Sequence, residues 1–497
     1  MLPNSIPPTT PEKARTLVLC FDGTGDQFDS DNSNIVQFFS MLKKDDRTKQ
    51  MVYYQAGIGT YTSPQIATPM AAKISKILDE AVAWDLSAHV MGGYEFLMQN
   101  YQAGDRICIF GFSRGAYTAR SLAGMIHKVT IGRSFAEPHP QVGLLPASNF
   151  QQIPFAYKMY TRADEVGWAQ SNTFKKAFSV DVPIEFIGVW DTVSSVGLIP
   201  KRLPFTTSNT IVRTFRHALA LDEHRAKFKA NMWNRPSAEE SSLGVEGQKP
   251  EIPAHRTTTI ANEEEIIFKG NENLLECRYA ETSDRPTDVE EVWFVGAHCD
   301  VGGGSVSNGT PYALARISLR WMIRECFKAK SGIIFVSKSL REVGLDPLSL
   351  YPCVQKRPPP LHVGNAQIQN VTSATQQKLQ DSSGMDSLVE IAKTEEDHEL
   401  LDVLSPIYDQ LTLAPMWWIL EFLPIKQHYQ KGDNSWASTI YPNLGRGRVI
   451  PQQETHVIRV HRSVRQRMEA QYPDGSRYQP KASIKVALEL ENVEWVD

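Results

Sequence analysis

Short apolar runs that alternate with longer helical patterns constrain the fold of this chain more than any other feature. The runs, interpreted as strands, fall at 15–20, 51–54, 106–110, 184–190 and 291–295. Segments with helical periodicity lie between or beside them, near 33–44, 71–101, 114–128, 209–219 and 312–329. Strands that are apolar throughout and separated by crossover helices are typical of parallel sheets covered on both faces. The sequence therefore predicts an α/β architecture with a doubly wound, mostly parallel sheet.

The composition is that of an ordinary globular protein. Hydrophobic residues make up 41% and charged residues 22% of the 497 positions, and the net charge of −4 comes without a basic run. A nucleic-acid partner is therefore not expected. The six cysteines include no C-x-x-C pair, which favours buried thiols over a disulfide framework or a metal site. The first residues lack the apolar core of a secretory signal, and no apolar stretch reaches the length of a membrane span, about 20 residues. We expect a cytoplasmic protein that uses no metal or other cofactor.

The chain divides by composition into three parts. Residues 14–330 hold the five apolar runs interpreted as strands, with a polar insertion near 234–254. Residues 331–400 include KRPPPL and a run rich in Gln, Ser and Thr, and we interpret them as a variable, partly disordered excursion. Residues 401–497 carry the aromatic segment PMWWILEFLP, which predicts an extension that packs on the core.

The strongest chemical signal is the pentapeptide GFSRG at 111–115. It directly follows the apolar run 106–110, and the helix after it repeats apolar residues at i, i+3, i+4 and i+7. This is the setting of a nucleophile elbow, in which small residues permit the tight turn that exposes a serine hydroxyl. A glycine-bounded loop without chemistry is the plainer alternative, but the setting favours Ser113 as a nucleophile.

A serine nucleophile needs a base to take its proton and a carboxylate to orient that base. In folds with this elbow the chain order is Ser, acid, His. Asp191 ends the fourth apolar run, and His298 lies in a glycine-rich loop after the fifth, so both fall at the sheet edge that carries Ser113. Asp191 could instead cap the following turn, and Asp300 is the second candidate for the acid. With a carboxylate beside it, the histidine should titrate at or somewhat above its ordinary pKa of ~6.5.

The oxyanion of acyl transfer needs two backbone N–H donors, one after the nucleophile and one from a loop after an earlier strand. Arg114 is the candidate for the first donor. Gly23 or Thr24, in the loop that begins at Asp22, is the candidate for the second. The letters FDGT also occur in the D-x-D-G-T motif of haloacid-dehalogenase-type phosphatases. Cys20 stands where their nucleophilic aspartate would be, so that chemistry is not expected.

Five motifs follow one another along the chain: FDGTGD, GFSRGAYTARSLAG, IEFIGVWDTVSSVG, ALALDEHRAKF and WFVGAHCDVGGG. In this order they resemble the uncharacterised α/β-hydrolase domain family that includes the catalytic domain of type VI secretion phospholipase effectors, and its fungal members in particular. The resemblance covers residues 14–330 and implies an α/β-hydrolase catalytic domain there. It places the family's serine, aspartate and histidine on Ser113, Asp191 and His298.

The resemblance implies a serine hydrolase that cleaves carboxylic esters through an acyl-enzyme, with lipid esters, phospholipids included, as a substrate class. It implies no cofactor. Two alternatives remain at this point. An acyltransferase would use the same three residues with another acceptor, and a non-catalytic scaffold would keep the fold alone.

Further residues are secondary candidates for the site. Asp222 and Arg225, together with Glu223 in the same motif, are expected to form a buried ion-pair network beside it. Asp22 and Asp300 are secondary candidates as well. In the tail, Trp417 and Trp418 could make transient contact with a membrane surface, although such an aromatic stripe more often closes a core, which is the role we favour.

Overall fold

The computed structural model of the chain describes 4–7, 14–57, 81–128, 143–162, 182–193, 203–234, 286–371, 394–432, 436–452, 457–484 and 493–497, with single positions between 167 and 179. Three predicted features fall wholly or partly outside these residues. They are the start of the helix near 71–101, nearly all of the polar insertion near 234–254, and residues 372–393 of the excursion.

An eight-stranded parallel sheet lies at the centre of the described structure. In chain order the strands are β1 (Ser5–Ile6), β2 (Thr16–Phe21), β3 (Gln50–Gln55), β4 (Arg106–Phe112), β5 (Ile184–Trp190), β6 (Val212–Ala220), β7 (Asp288–Phe294), β8 (Phe335–Val336), β9 (Pro424–Gln430), β10 (Trp436–Pro442), β11 (Val449–Ile450), β12 (Ile458–His461), β13 (Ser483–Ile484) and β14 (Val493–Val496). The central sheet has the order β14-β12-β7-β6-β5-β4-β2-β3, and each neighbouring pair in it is parallel.

Helices cover both faces of this sheet. They are α1 (Asn34–Met41), α2 (Ala81–Asn100), α3 (Ser113–Lys128), α4 (Ile153–Thr161), α5 (His298–Gly302), α6 (Ala315–Lys328), α7 (Ser337–Glu342), α8 (Pro347–Leu350), α9 (Glu395–Val403), α10 (Gln410–Leu413), α11 (Trp418–Phe422) and α12 (Arg462–Glu469), with 3-10 turns at Ala147–Gln152 and Pro415–Trp417.

The central strands are apolar because both of their faces are buried. On β2, Leu17 belongs to one core layer and Val18 to the other, since successive side chains of a strand point to opposite faces. The first layer is shared with Val90 of α2 and other side chains of α2 and α3, and the second with Phe38 of α1 and Met322 of α6. Burying one such side chain contributes about 1.5–3 kcal/mol. The prediction of a doubly wound, mostly parallel α/β fold is confirmed.

The predicted helix at 209–219 is wrong, because this segment is the central strand β6. It lies between β5 and β7, and all of its residues except Arg213 are buried. Two buried ionisable side chains interrupt the apolar run that marks the other strands. Arg216 pairs with Glu325 at 2.6 Å, and His217 with Glu291 at 2.9 Å, so these polar side chains are paired inside the core.

The tail is joined to the central sheet. β12 and β14 extend the sheet beyond β7, and β9 and β10 form an antiparallel hairpin. In the region 331–371, Phe335, Leu340 and Leu350 are buried in the same layer as Val18. These contacts tie the residues after 330 to the sheet, while the division of the chain into three parts stays a prediction.

Candidate active site

The candidate residues gather at one edge of the sheet, at the carboxyl ends of its strands. β2 lies between β3 and β4, so the order of the strands reverses at this point. The loop that begins at Asp22 follows β2, and Ser113 follows β4. Ligands of open parallel sheets bind in the crevice at such a reversal. The nucleophile candidate and the oxyanion-loop candidate therefore flank the crevice in which a ligand is expected.

Ser113 stands on a strained turn between β4 and α3. Its φ is 58°, in the left-handed region that residues with side chains seldom adopt. The backbone packs too closely at the two glycines of this turn for either position to carry a side chain. A Cβ on Gly111 would lie 2.5 Å from the carbonyl oxygen of Gly115, and a Cβ on Gly115 would lie 2.2 Å from that of Asp22. The chain thus has the strand–turn–helix geometry that presents a serine hydroxyl at the edge of a sheet.

Ser113, His298 and Asp191 form a continuous series of hydrogen bonds. The Oγ of Ser113 lies 2.7 Å from Nε2 of His298, and Nδ1 of His298 lies 2.6 Å from Oδ2 of Asp191. All three residues are buried. Asp191 directly follows β5, and His298 begins α5 just after β7. The structure brings together the three side chains that motif context and chain order select from the sequence.

Two phenylalanines hold the imidazole of His298. The ring centroid of Phe112 lies 4.7 Å from that of His298, and Phe228 meets the imidazole edge-on at 4.9 Å. Gly302 makes the first contact possible, because a Cβ there would lie 1.8 Å from the ring of Phe112. Sequence reasoning missed Phe228, although it is the last residue of the motif ALALDEHRAKF.

Arg448, from the tail, is the charged partner of Asp191. Its Nη1 and Nη2 lie 2.6 and 2.8 Å from Oδ1 and Oδ2 of Asp191, and the N–H of Ala220 also donates to Oδ1, at 2.9 Å. Burial alone would raise the pKa of Asp191, but the charge of Arg448 and then the hydrogen bond from His298 lower this pKa below its ordinary range. Asp191 is therefore a carboxylate. Sequence reasoning missed Arg448, which lies 257 positions from Asp191 in no recognised motif.

Burial lowers the pKa of His298 below its ordinary range. The hydrogen bond and charge of Asp191 oppose this effect, and the charge of Arg225 adds to it. The expectation that this pKa lies at or above the ordinary value is therefore wrong in direction. It considered the carboxylate beside the histidine but not the burial of the imidazole. A histidine that is neutral near pH 7 is able to accept the proton of Ser113.

The loop after β2 contains amide donors beside the site, of which Gly23 and Thr24 are the predicted candidates. The N–H of Gly23 donates to the carboxylate of Asp22 at 2.8 Å, so it is engaged. Asp22 also accepts the hydroxyls of Ser33 and Tyr54, at 2.6 and 2.7 Å, and burial raises its pKa. Within the described ranges, the backbone N–H of Thr24 makes no hydrogen bond. Of the two candidates in this loop, Thr24 is thus the one with an available donor.

The second amide candidate, Arg114, opens α3 directly after Ser113. Its backbone N–H has no partner in the part of the chain that the structure describes, as expected for a first-turn amide of a helix. An anion next to Ser113 would also lie at the positive end of the helix dipole. Burial lowers the pKa of the Arg114 side chain to about 10, which leaves it a cation near pH 7.

The carboxylates of Asp300 and Asp222 accept hydrogen bonds from groups other than the imidazole of His298. Asp300 accepts the N–H groups of Ala297 and Tyr408, each at 3.0 Å, and burial raises its pKa to about 7. Asp222 accepts the N–H of Gly296 at 2.7 Å, as well as a tyrosine hydroxyl and an amide of the tail. The two imidazole nitrogens of His298 face Ser113 and Asp191 instead. Both aspartates fix loops around the site.

Glu223 and Arg225 form a buried ion pair beside His298, and Asp222 is not part of it. The Nη2 of Arg225 lies 2.7 Å from Oε2 of Glu223. Burial alone would raise the pKa of Glu223, but the charge of Arg225 lowers it to about 2. Glu223 also accepts the backbone N–H of His298 at 3.3 Å, and the guanidinium of Arg225 lies 3.5 Å from the ring centroid of Phe228. The pair therefore supports both the backbone and the ring contact of His298.

Trp417 and Trp418 are half-buried rather than fully packed. Trp417 meets Phe228 edge-on at 5.5 Å, and the guanidinium of Arg225 lies 4.8 Å from its ring centroid. The indole N–H of Trp418 donates to the carbonyl of Leu411 at 3.1 Å. Trp417 thus connects the tail with the residues that surround His298.

Two kinds of feature are absent from the described ranges. No group of three or more His, Cys, Asp and Glu side chains there is arranged to hold a metal ion. No helix there is both long and apolar enough to cross a lipid bilayer.

Comparisons with known proteins place this geometry in context. The family model described as "T6SS, Phospholipase effector Tle1-like, catalytic domain" matches residues 15–325. A protein of Saccharomyces cerevisiae, named "Uncharacterized protein YEL023C", is 27% identical over an alignment 548 residues long. The alignment covers 90% of this chain and 78% of the relative.

Solved structures also match, among them these two. One, described as the crystal structure of an uncharacterized protein from Pseudomonas aeruginosa, is 16% identical with a TM-score of 0.37, over 67% of this chain and 49% of the other. The second is described as the Tle1 effector bound to the VgrG spike from the Type 6 secretion system. It is 17% identical with a TM-score of 0.27, over 60% of this chain and 52% of the other. Both matches span about half the length of the solved chain.

Proposed function

Because the chain belongs to the Tle1-like family of type VI secretion phospholipase effector catalytic domains, we propose that it is a serine hydrolase that cleaves the carboxylic esters of lipids. The observation that carries the proposal is the series Ser113, His298, Asp191, with successive hydrogen bonds of 2.7 and 2.6 Å. The family name supports an ester-hydrolysing, lipase-type activity, and we infer phospholipids as the substrate class.

In the proposed first half-reaction, Ser113 becomes acylated. Nε2 of His298 takes the Oγ proton of Ser113 while Oγ bonds to the ester carbonyl carbon, whose oxygen becomes an oxyanion. His298 then gives this proton to the departing alkoxide as the ester C–O bond breaks. The alcohol part of the lipid leaves, and the acyl group remains bonded to Oγ of Ser113.

In the second half-reaction, water takes the place of the serine hydroxyl. His298 accepts a proton from the water while the water oxygen attacks the acyl carbon. His298 then gives this proton to Oγ of Ser113 as the bond between Oγ and the acyl carbon breaks. In both steps the carboxylate of Asp191 keeps the Nδ1–H tautomer of His298 and stabilises the imidazolium that forms. Its lowered pKa supports this role, because a protonated Asp191 would offer no such charge.

We further propose that the amides of Thr24 and Arg114 bind the oxyanion. Preorganised backbone donors that face the developing charge supply a large part of the rate enhancement of acyl transfer. The position of Arg114 at the start of α3 supports the proposal, because the dipole of that helix favours negative charge at its N-terminus.

The tail supports a lipid rather than a small soluble ester as substrate. Side chains that remain exposed around α11 are strongly apolar: Met416, Ile419, Phe422 and Leu423. Among the described residues 410–450, the exposed charged side chains are Lys431 and Arg446, both basic, and Glu421 is buried. An apolar surface in a segment whose exposed charges are basic suits the interface of an anionic lipid membrane. We propose that this lipid-facing surface, which Trp417 connects with the site, makes the transient membrane contact.

A fluorophosphonate probe tests the proposed function, because it reacts with an activated serine. The parent chain should be labelled, and Ser113→Ala should lose the label while kcat for an ester falls by a factor of about 10⁴ or more. Ser121→Ala is the matched control, since Ser121 is a buried serine of the same helix whose hydroxyl donates to Tyr117. Full labelling of Ser113→Ala would assign the nucleophile to another residue.

A panel of esters then separates the remaining alternatives. Turnover that rises from short-chain esters to phospholipid vesicles supports a lipid hydrolase. If an added alcohol accepts the acyl group in preference to water, the protein is an acyltransferase with the same three residues. A parent chain that neither labels nor turns over any ester would favour the non-catalytic scaffold.

A further inference from the structure

Arg448 reaches Asp191 from a part of the chain that lies beyond the family match. The match ends at residue 325, whereas Arg448 directly precedes β11 in the tail. Both side chains are buried, with exposed fractions of 3% for Arg448 and 0% for Asp191. The tail therefore supplies the charge that pairs with this buried carboxylate.

The guanidinium of Arg448 is fixed on every side. Two of its N–H groups donate to the two oxygens of Asp191, at 2.6 and 2.8 Å. Three further hydrogen bonds, of 3.0, 3.0 and 2.6 Å, reach the carbonyls of Ala220 and Phe228. These five bonds use all five donors of an arginine, whose planar fork matches the two oxygens of a carboxylate. A lysine, with three donors on one nitrogen, would not reproduce this arrangement.

From this geometry we propose that Arg448 is a positioning residue of the active site, which sets the orientation and effective charge of Asp191 and thereby the basicity of His298. This inference rests on the proposed hydrolase function. Oδ2 of Asp191 meets both Nη2 of Arg448 and Nδ1 of His298, so the guanidinium and the imidazole share one oxygen. The carbonyl of Phe228 accepts from Arg448, and its ring packs on His298.

The charges around His298 determine the direction of the effect. They are Asp191 after β5, Glu223 and Arg225 in the loop after β6, and Arg448 behind Asp191. A cation beside Asp191 weakens the attraction between that carboxylate and a protonated imidazole. Arg448 therefore helps to keep His298 neutral at lower pH, and loss of its charge should make His298 easier to protonate.

A pH profile of the full chain tests the inference, with 4-nitrophenyl butyrate as the ester. For Arg448→Met we expect kcat/KM to fall by about a hundredfold, because Asp191 loses its fixed orientation, and the inflection of the profile to move to higher pH. Arg465→Met is the matched control, since Arg465 is a 70% exposed arginine of the same tail that contacts neither the site nor the proposed lipid-facing surface. It should keep the parental rate and inflection.

Two further variants separate charge from folding. Arg448→Gln keeps hydrogen-bond donors without the charge, and it should show the same shift to higher pH even if Arg448→Met does not fold. Arg448→Lys keeps the charge and should retain the parental inflection with a lower kcat. A folded Met or Gln variant with the parental inflection overturns the role of Arg448. A parent chain without ester turnover or without label at Ser113 overturns the proposed function instead.

Discussion

Gly115 and Asp22 touch across the edge of the sheet, backbone against backbone. A Cβ on Gly115 would lie 2.2 Å from the carbonyl oxygen of Asp22, which is far too close for a carbon and an oxygen that are not bonded. This contact sets the first turn of α3 against the loop after β2. It therefore holds the two proposed oxyanion donors, Thr24 and Arg114, on neighbouring pieces of backbone.

Gly115→Ala should destabilise the fold. The new methyl group meets two carbonyl oxygens of the chain, which do not rotate away as a side chain would, so we expect a loss of about 1–3 kcal/mol or more in the free energy of unfolding. Gly92→Ala on α2 is the control, because its Cβ would meet first the hydroxyl end of Tyr53, at 3.2 Å. Urea unfolding of the two variants measures the difference. Equal free energies would contradict the close contact at Gly115.

Asp191→Asn should reduce turnover far more than Asp300→Asn. An amide at position 191 no longer holds the Nδ1–H tautomer of His298, and we expect kcat to fall by about 10⁴-fold. Asp300 accepts the backbone N–H groups of Ala297, just before α5, and of Tyr408 in the tail, so Asp300→Asn should lower the melting temperature with a much smaller loss of kcat. Steady-state kinetics and thermal unfolding of both variants decide the ranking, and the reverse order would transfer the acid role to Asp300.

The pH dependence of kcat/KM should follow His298. A general base works in its neutral form, so kcat/KM should rise with pH through the pKa of the free enzyme. Burial lowers that pKa, and the inflection should therefore lie below the ordinary histidine value of ~6.5. His298→Gln should abolish turnover. His224→Gln should retain turnover and inflection, because the imidazole of His224 pairs with Asp409 at 2.8 Å and not with the site.

The residues near Ser113 could be predicted because each follows a strand within a few positions. An apolar run, two glycines and a helical repeat identify the elbow locally, and chain order then selects Asp191 and His298. Arg448 has no such local signal, because its role depends on how the tail folds back onto β5. The strand β6 has no clear apolar signal for a related reason: the buried Arg216 pairs with Glu325 and Asp288, which lie far along the chain.

The exposed side chains of the proposed lipid-facing surface likewise have no local signal in the sequence. The aromatic segment is visible in the sequence, but the sequence does not distinguish packed from exposed positions. The structure leaves Trp417 and Trp418 half-buried and exposes their neighbours Ile419 and Phe422, each to 64%. These two side chains, rather than the tryptophans, are thus the sharper test of contact with lipid.

Replacing Ile419 and Phe422 together by Glu should therefore impair hydrolysis of vesicles and spare hydrolysis of a soluble ester. The two new charges would have to enter an apolar and anionic interface, and we expect vesicle binding to weaken by about tenfold or more. Sedimentation with phosphatidylserine-containing vesicles measures binding, and 4-nitrophenyl butyrate reports the chemical step. Leu348→Glu is the control, because Leu348 is a 53% exposed apolar residue on α8, elsewhere in the chain.

If the double variant binds vesicles as the parent does, this surface has no lipid contact. If it loses activity on both substrates, the segment acts instead through Trp417, which packs on Phe228 and, through it, on His298.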